Sequence, residues 1–217
     1  LLLRLYPVSA GAMLCTLLPP DIKLGTRTHK TTTDLVHDEE TTPQVMMARL
    51  DERFLSYQSH IRSTFARRGS VLFVVPTTAD IPYAVKELSH GIKDRLVVLT
   101  STLTKKKYQE SIAVLEDISF PRLIITTPHY AYTGRSDILS IIVEQSASSH
   151  YVDRKRPYLD HRDALLTYAK AQGSNIILGD TVVRTEDEAK RRTDTYLTFG
   201  EEVKRLVFSA PINIVKQ

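Results

Sequence analysis

Gly69-Ser-Val-Leu-Phe-Val-Val-Pro-Thr-Thr78 is the stretch from which the fold is read. Its apolar residues run without interruption from Val71 to Val75 and stop at Pro76. A run this short, with no polar alternation, reads as a strand covered on both faces. Ile81, Val85 and Leu88 follow at helical spacing. The same alternation continues downstream. Leu96–Leu99, Leu123–Ile125, Ile138–Val143 and Ile176–Leu178 read as strands. Tyr108, Ile112 and Leu115 mark one helix, and Asp160 to Gly173 another. Thr185 and Glu188 form a capping-box pattern that opens a helix to about Phe199, and Leu206–Phe208 and Ile212–Val215 are candidate final strands. Apolar strands separated by amphipathic helices predict an α/β fold, a mostly parallel sheet with helices on both faces.

Upstream of Gly69, Thr42 is placed to cap a helix with Pro43 at its first position. Met46, Leu50, Phe54, Tyr57, Ile61 and Phe65 give that helix one apolar stripe, and Arg67-Arg68-Gly69 ends it. Residues 21–42 carry seven threonines mixed with charges and no periodicity, the character of a linker. The expected division is an N-terminal extension and Thr-rich linker over 1–42, then one α/β domain over 43–217. No internal repeat stands out.

The 217 residues are 42% hydrophobic and 25% charged, with a net charge of +4. That balance fits a soluble globular domain and is compatible with a polyanionic partner without demanding one. Cys15 is the single cysteine, which excludes an internal disulfide and a multi-cysteine metal site and fits a reducing, cytoplasmic setting. No apolar stretch approaches the ~20 residues of a membrane span. Leu1-Leu-Leu-Arg-Leu5 lacks the basic start of a signal peptide and is interrupted by Pro7. The absent initiator Met suggests a fragment or a trimmed chain.

Motifs that carry chemistry are scarce. Gly25-Thr-Arg-Thr-His-Lys30-Thr31 is the nearest approach to a phosphate-binding loop, but it lacks the glycine before lysine and joins no strand to a helix. His161-Arg162-Asp163 has the first letters of a kinase catalytic loop without its companions and reads as a solvated first helical turn. The histidines show no metal-ligand spacing, so no metal is expected. Ser146, Ser148 and Ser149 lack a nucleophile elbow.

The ordered series of segments is more informative. Residues 69–78 resemble the strand that runs into Val-Pro-Glu-Ile-x-Leu-Thr in PriA-type DNA helicases, and Leu99-Thr-Ser-Thr-Leu-Thr104 resembles their Leu-His-Ser-x-Leu-Thr. Leu123-Ile-Ile-Thr-Thr-Pro-His-Tyr-Ala-Tyr132 is similar to Ile-Val-Ile-Gly-Thr-Arg-Ser-Ala-Leu-Phe. Ile141-Ile-Val-Glu-Gln-Ser-Ala-Ser-Ser-His-Tyr151 falls on Ile-Val-Asp-Glu-Glu-His-Asp-Ser-Ser-Tyr. Pro157-Tyr158 with His161-Arg162-Asp163, and Ile177 to Glu186, resemble the Tyr-His-Ala-Arg-Asp and Leu-Gly-Ser-Ala-Thr segments that follow. Tyr6-Pro7, Gly11 and Leu18-Pro-Pro20 resemble the segment before the motor in some members. The resemblance implies the first, RecA-like motor lobe of a superfamily 2 helicase.

The departures fall on the chemistry. The family's phosphate-binding lysine would land near Phe54, where Asp51-Glu-Arg-Phe-Leu55 contains no glycine and no lysine. The paired acids become Glu144-Gln145, a nucleotide and metal remnant in which Gln145 cannot act as a carboxylate base. Ser-Ala-Thr becomes Asp180-Thr181-Val182. The resemblance therefore implies a non-catalytic lobe that takes no cofactor and acts in replication restart or repair. Its expected partners are single-stranded or forked DNA, weakly bound, and a second lobe or replication proteins. The loops matched to the family's DNA-facing loops hold Thr77, Thr78, Thr127 and His129, with Lys105, Lys106, Lys107 and Arg135 as added charge. Two alternatives stay open: an active ATP-dependent helicase lobe with divergent motifs, and an unrelated α/β binding protein. Arg154-Lys-Arg156 and Lys190-Arg-Arg192 read as solvated basic faces.

Overall fold

A computed structural model describes residues 2–17 and 41–200. Seven strands form one parallel sheet: β1 (Gln44–Met47), β2 (Ser70–Val74), β3 (Leu96–Leu99), β4 (Leu123–Thr126), β5 (Ile138–Glu144), β6 (Asn175–Asp180) and β7 (Leu197–Thr198). Their spatial order is β3-β4-β2-β5-β6-β1-β7. Every pairing is parallel, with Val74 beside both Thr126 and Val143 and Val45 beside both Leu178 and Thr198.

Alternate residues of these strands feed two cores. Val71, Phe73, Ile125, Ile142 and Ile177 face α3 (Leu50–Ala66) and α4 (Ile81–Leu88). Leu72, Val74, Ile124, Ile141, Val143 and Leu178 face α5 (Lys105–Glu116) and α6 (His161–Gln172). The fold class read from the sequence is the one observed. Both faces are covered, which is why the strands are apolar throughout rather than alternating. The N-terminal α1 (Leu2–Leu5) and α2 (Ala10–Leu17) sit against α6. Tyr6 donates to Asp163 Oδ2 at 3.0 Å and accepts from the Asp160 N–H at 3.0 Å, while Met13 packs on Leu159 and Ala164.

Three sequence expectations are corrected. Residues 44–47 are a strand, not the start of the helix. Val45 is fully buried between β6 and β7, and sheet pairing outweighs the Thr-Pro helix signal. Met46 kept the helical spacing to Leu50 by accident, because only Ala48 and Arg49 separate β1 from α3. The last helix, α7 (Thr185–Arg192), stops short of Phe199 so that Leu197–Thr198 can join the sheet edge beside β1. No capping box forms there, since Glu188 bonds Arg191 and Arg192 instead. The candidate strands at 206–208 and 212–215, the 25–31 string and most of the threonine-rich linker lie outside the described residues.

The strand assignment has a direct test. Val45→Pro removes a ladder donor from the sheet interior and is expected to cost about 3 kcal/mol or more, read as a lower urea midpoint. The same change in the first turn of a helix would be tolerated.

Candidate functional site

In a parallel sheet every strand's carboxyl end lies on one edge, and α/β ligands bind there. The ends of β1, β5 and β6 border a cleft of about 470 Å³ lined by Leu50, Arg53, Gln145, Ala147, Ser148, Asp180 and Thr181. The connection from β1 to α3 is where a phosphate loop would sit. Two residues are too few for backbone N–H groups to converge on a phosphate.

An arginine occupies the wall of this cleft. α3 presents Arg53 and Tyr57 four residues apart on its buried face, so both side chains reach the end of β5. Arg53 Nε donates to Glu144 Oε1 and Oε2 at 3.2 and 3.1 Å, and Nη2 donates to Oε1 at 2.5 Å. Nη1 donates to the Ala48 carbonyl at 2.6 Å and to the Thr181 hydroxyl at 3.0 Å. The Tyr57 hydroxyl donates to Glu144 Oε2 at 2.8 Å. Arg53 and Glu144 are each only 1% exposed.

Burial lifts the Glu144 carboxyl above its ordinary range, and the Arg53 and Tyr57 hydrogen bonds act against that rise. Burial works to lower the Arg53 pKa, but its hydrogen bonds and charge contact with Glu144 outweigh it and the net shift is upward. Burial, then the Glu144 charge, raises Tyr57 well above a free tyrosine. Gly179 on β6 is required by the same cluster, because a Cβ there would stand 1.8 Å from the Tyr57 hydroxyl. Gln145 borders the cleft with φ 51, a conformation few non-glycine residues adopt.

The expected DNA-facing residues divide. Thr77 and Thr78 follow β2, Thr127 and His129 follow β4, and Lys105, Lys106 and Lys107 open α5 after β3. These three strands are neighbours in the order β3-β4-β2, so the residues share one edge. The three lysines are exposed. Thr77 is committed locally, its hydroxyl donating to Asp80 Oδ2 at 2.6 Å and its N–H to the same oxygen at 3.1 Å.

Arg135 is a correction. It is 3% exposed and bonded to Asp137, the Leu115 and Phe120 carbonyls and Ser70 at the opposite, amino-terminal edge, so it offers no charge to a ligand. His161-Arg162-Asp163 is also not a solvated turn. His161 and Arg162 are buried, and Arg162 clamps Asp160 through Nε and Nη2 at 2.7 and 2.8 Å.

Sequence reasoning missed Arg53 and Tyr57 as site residues. Their i, i+4 spacing on the apolar stripe was the available signal, because a charge on a buried face needs a partner. It also missed that His129, Asp153 and His161 meet. Asp153 Oδ1 lies 3.3 Å from His129 Nε2 and 3.2 Å from His161 Nε2. Burial, then the neighbouring His129, lowers the His161 pKa.

The sheet order and two-sided helical cover give this chain the fold of a RecA-like helicase lobe. Among solved structures it is similar to the C-terminal domain of S. cerevisiae Dbp5 L327V bound to Gle1 H337R and IP6, with TM-score 0.51 and 10% identity over 72% of this chain and 87% of that one. At that identity the likeness concerns the fold. An XPD helicase aligns at TM-score 0.41 and 15% identity over 72% of this chain, which spans only 35% of its length. No family model and no curated protein matches the sequence. Among the described residues no helix is long and apolar enough to cross a membrane.

The ion pair predicts a specific mutational pattern. Arg53→Met leaves Glu144 buried without its counter-charge and is expected to cost about 3–5 kcal/mol in chemical denaturation. Arg53→Met combined with Glu144→Gln should lose clearly less, since the amide still accepts from Tyr57 and no charge is stranded.

Proposed function

We propose that this chain is a helicase-like lobe of the PriA type that no longer works on nucleotide. It serves replication restart or repair as a DNA-binding or scaffold element beside a second lobe or replication proteins. The observation that carries the reading is the Arg53 guanidinium bound to Glu144. Glu144 matches the first of the family's paired acids, whose task is to approach magnesium. With both its oxygens bonded to Arg53 and one also to Tyr57, it is already neutralised. The two-residue link after β1 and the amide at Gln145 point the same way: no cradle, no base. DNA contact is the activity that survives these losses. Phosphate oxygens need only hydroxyls, N–H groups and cations, without reading sequence. Thr78, His129 and Lys105 to Lys107 are exposed and supply these along one edge, whereas Thr127, matched to the same loops, is buried.

Calorimetry with magnesium-ATP should show no micromolar binding, and DNA should elicit no turnover. Gln145→Glu with Ala147→His should stay inactive, because a base without a phosphate site has no positioned substrate. Micromolar binding, or turnover dependent on Glu144, would overturn the reading. Fluorescence anisotropy on a single-stranded oligonucleotide in EDTA should show weak binding that falls with salt, at a slope of about −0.7 per neutralised phosphate. Lys105→Ala, Lys106→Ala and Lys107→Ala together should flatten that slope. No binding at low salt would leave the scaffold role alone.

A further inference from the structure

We propose that His129, Asp153 and His161 form a binding site for one divalent transition-metal ion of the zinc type. The three ligand atoms lie within 4.8 Å of one another. Four-coordinate zinc, with bonds of about 2.0–2.1 Å, holds neighbouring ligand atoms about 3.3 Å apart. The separations from Asp153 Oδ1 to the two imidazole Nε2 atoms are 3.3 and 3.2 Å, the length of that tetrahedral edge.

Three separate pieces of chain bring these atoms together, and local structure holds each of them. His129 lies in the short 3-10 turn Pro128–Tyr130 after β4. Asp153 and His161 are aligned by an antiparallel bridge between the residues just before them, Val152 and Asp160. The Asp153 N–H closes this clip on the Leu159 carbonyl at 2.9 Å. His161 opens α6 and is 1% exposed, so its Nε2 is fixed from behind by the core. Nε2 is the nitrogen that faces Asp153, and Nδ1 is buried without a hydrogen-bond partner among the described residues. The His129 side chain is 48% exposed and leaves the site open to solvent.

The charge balance fits a dication. The two imidazole rings stand edge to face with centroids 4.5 Å apart. A metal ligand has to offer a lone pair, and one carboxylate with two imidazoles offers one from each residue while carrying the negative charge that a dication balances. Two nitrogens and one oxygen suit zinc and its neighbours in the first transition row, while magnesium and calcium prefer all-oxygen shells. Three protein ligands leave a position for water or a ligand oxygen, the arrangement of an open rather than a closed site. The seven histidines gave no sign of it in sequence because a pair 32 positions apart matches no ligand spacing. This site does not depend on the nucleotide reading, since neither Arg53 nor Glu144 takes part.

The full chain, stripped with chelator, is titrated with Zn2+ against a chromogenic zinc chelator at pH 7.5, and separately with Co2+ by visible absorption. One equivalent of Zn2+ should bind with micromolar or tighter affinity, and Co2+ should develop the intense d–d bands of a four-coordinate site. His129→Ala, an exposed change that spares the core, should weaken binding by at least about tenfold and abolish those bands. Asp153→Asn should do the same, whereas His150→Ala, at an exposed histidine outside the cluster, should bind as the parent does. Less than one equivalent bound, or His129→Ala binding with parental affinity, would overturn the proposal.

Discussion

A buried charge in a protein interior has to be matched, and the Arg53–Glu144 pair is where this molecule meets that requirement. Losing water costs each ion several kcal/mol, recovered only by close, saturating hydrogen bonds. The surrounding structure supplies them. β1 runs on into the Ala48 carbonyl that accepts from Arg53, β6 continues into the Thr181 hydroxyl that accepts a second bond, and Tyr57 donates to the far carboxylate oxygen. Gly179 has no side chain, so Tyr57 can approach. Strand ends, helix face and glycine all converge on one guanidinium. Moving any of them would weaken the match of the two charges, which makes the pair a constraint on the carboxyl ends of β1, β5 and β6.

That constraint is what the proposed loss of nucleotide binding rests on. A phosphate site needs a long glycine-rich turn and a cation held in reserve for the ligand. Here the turn is two residues and the cation is already bonded within the chain. The same edge still presents hydroxyls and lysines farther along, at β2, β4 and β3, beyond the reach of the ion pair. The proposed separation of DNA contact from nucleotide chemistry rests on this division of the edge into a closed region and an open one.

Much of the architecture was legible from residues alone. Strands such as Val71–Val75 and Ile138–Val143 announce themselves because burial on both faces demands unbroken apolar runs. β1 was not, since its four residues sit between a Thr-Pro helix signal and a true helix whose spacing Met46 happens to extend. The candidate site was legible only in its losses. Arg53 and Glu144 are 91 positions apart, and His129 meets His161 only through a loop clip, so no local pattern carries either contact. Arg135 failed for a related reason. Its charge was visible, but its partners, carbonyls and an aspartate at the other end of the sheet, were not.

The central claim is that the Arg53 guanidinium is locked onto Glu144 and unavailable to a phosphate. Nitrogen-edited NMR of arginine Nε–H groups reads this most directly. The account predicts a slowly exchanging Nε–H resonance, assigned by its loss in Arg53→Lys, that does not move when magnesium-ATP is added. A rapidly exchanging Arg53 Nε–H, or a saturable shift of that resonance with magnesium-ATP, would contradict it.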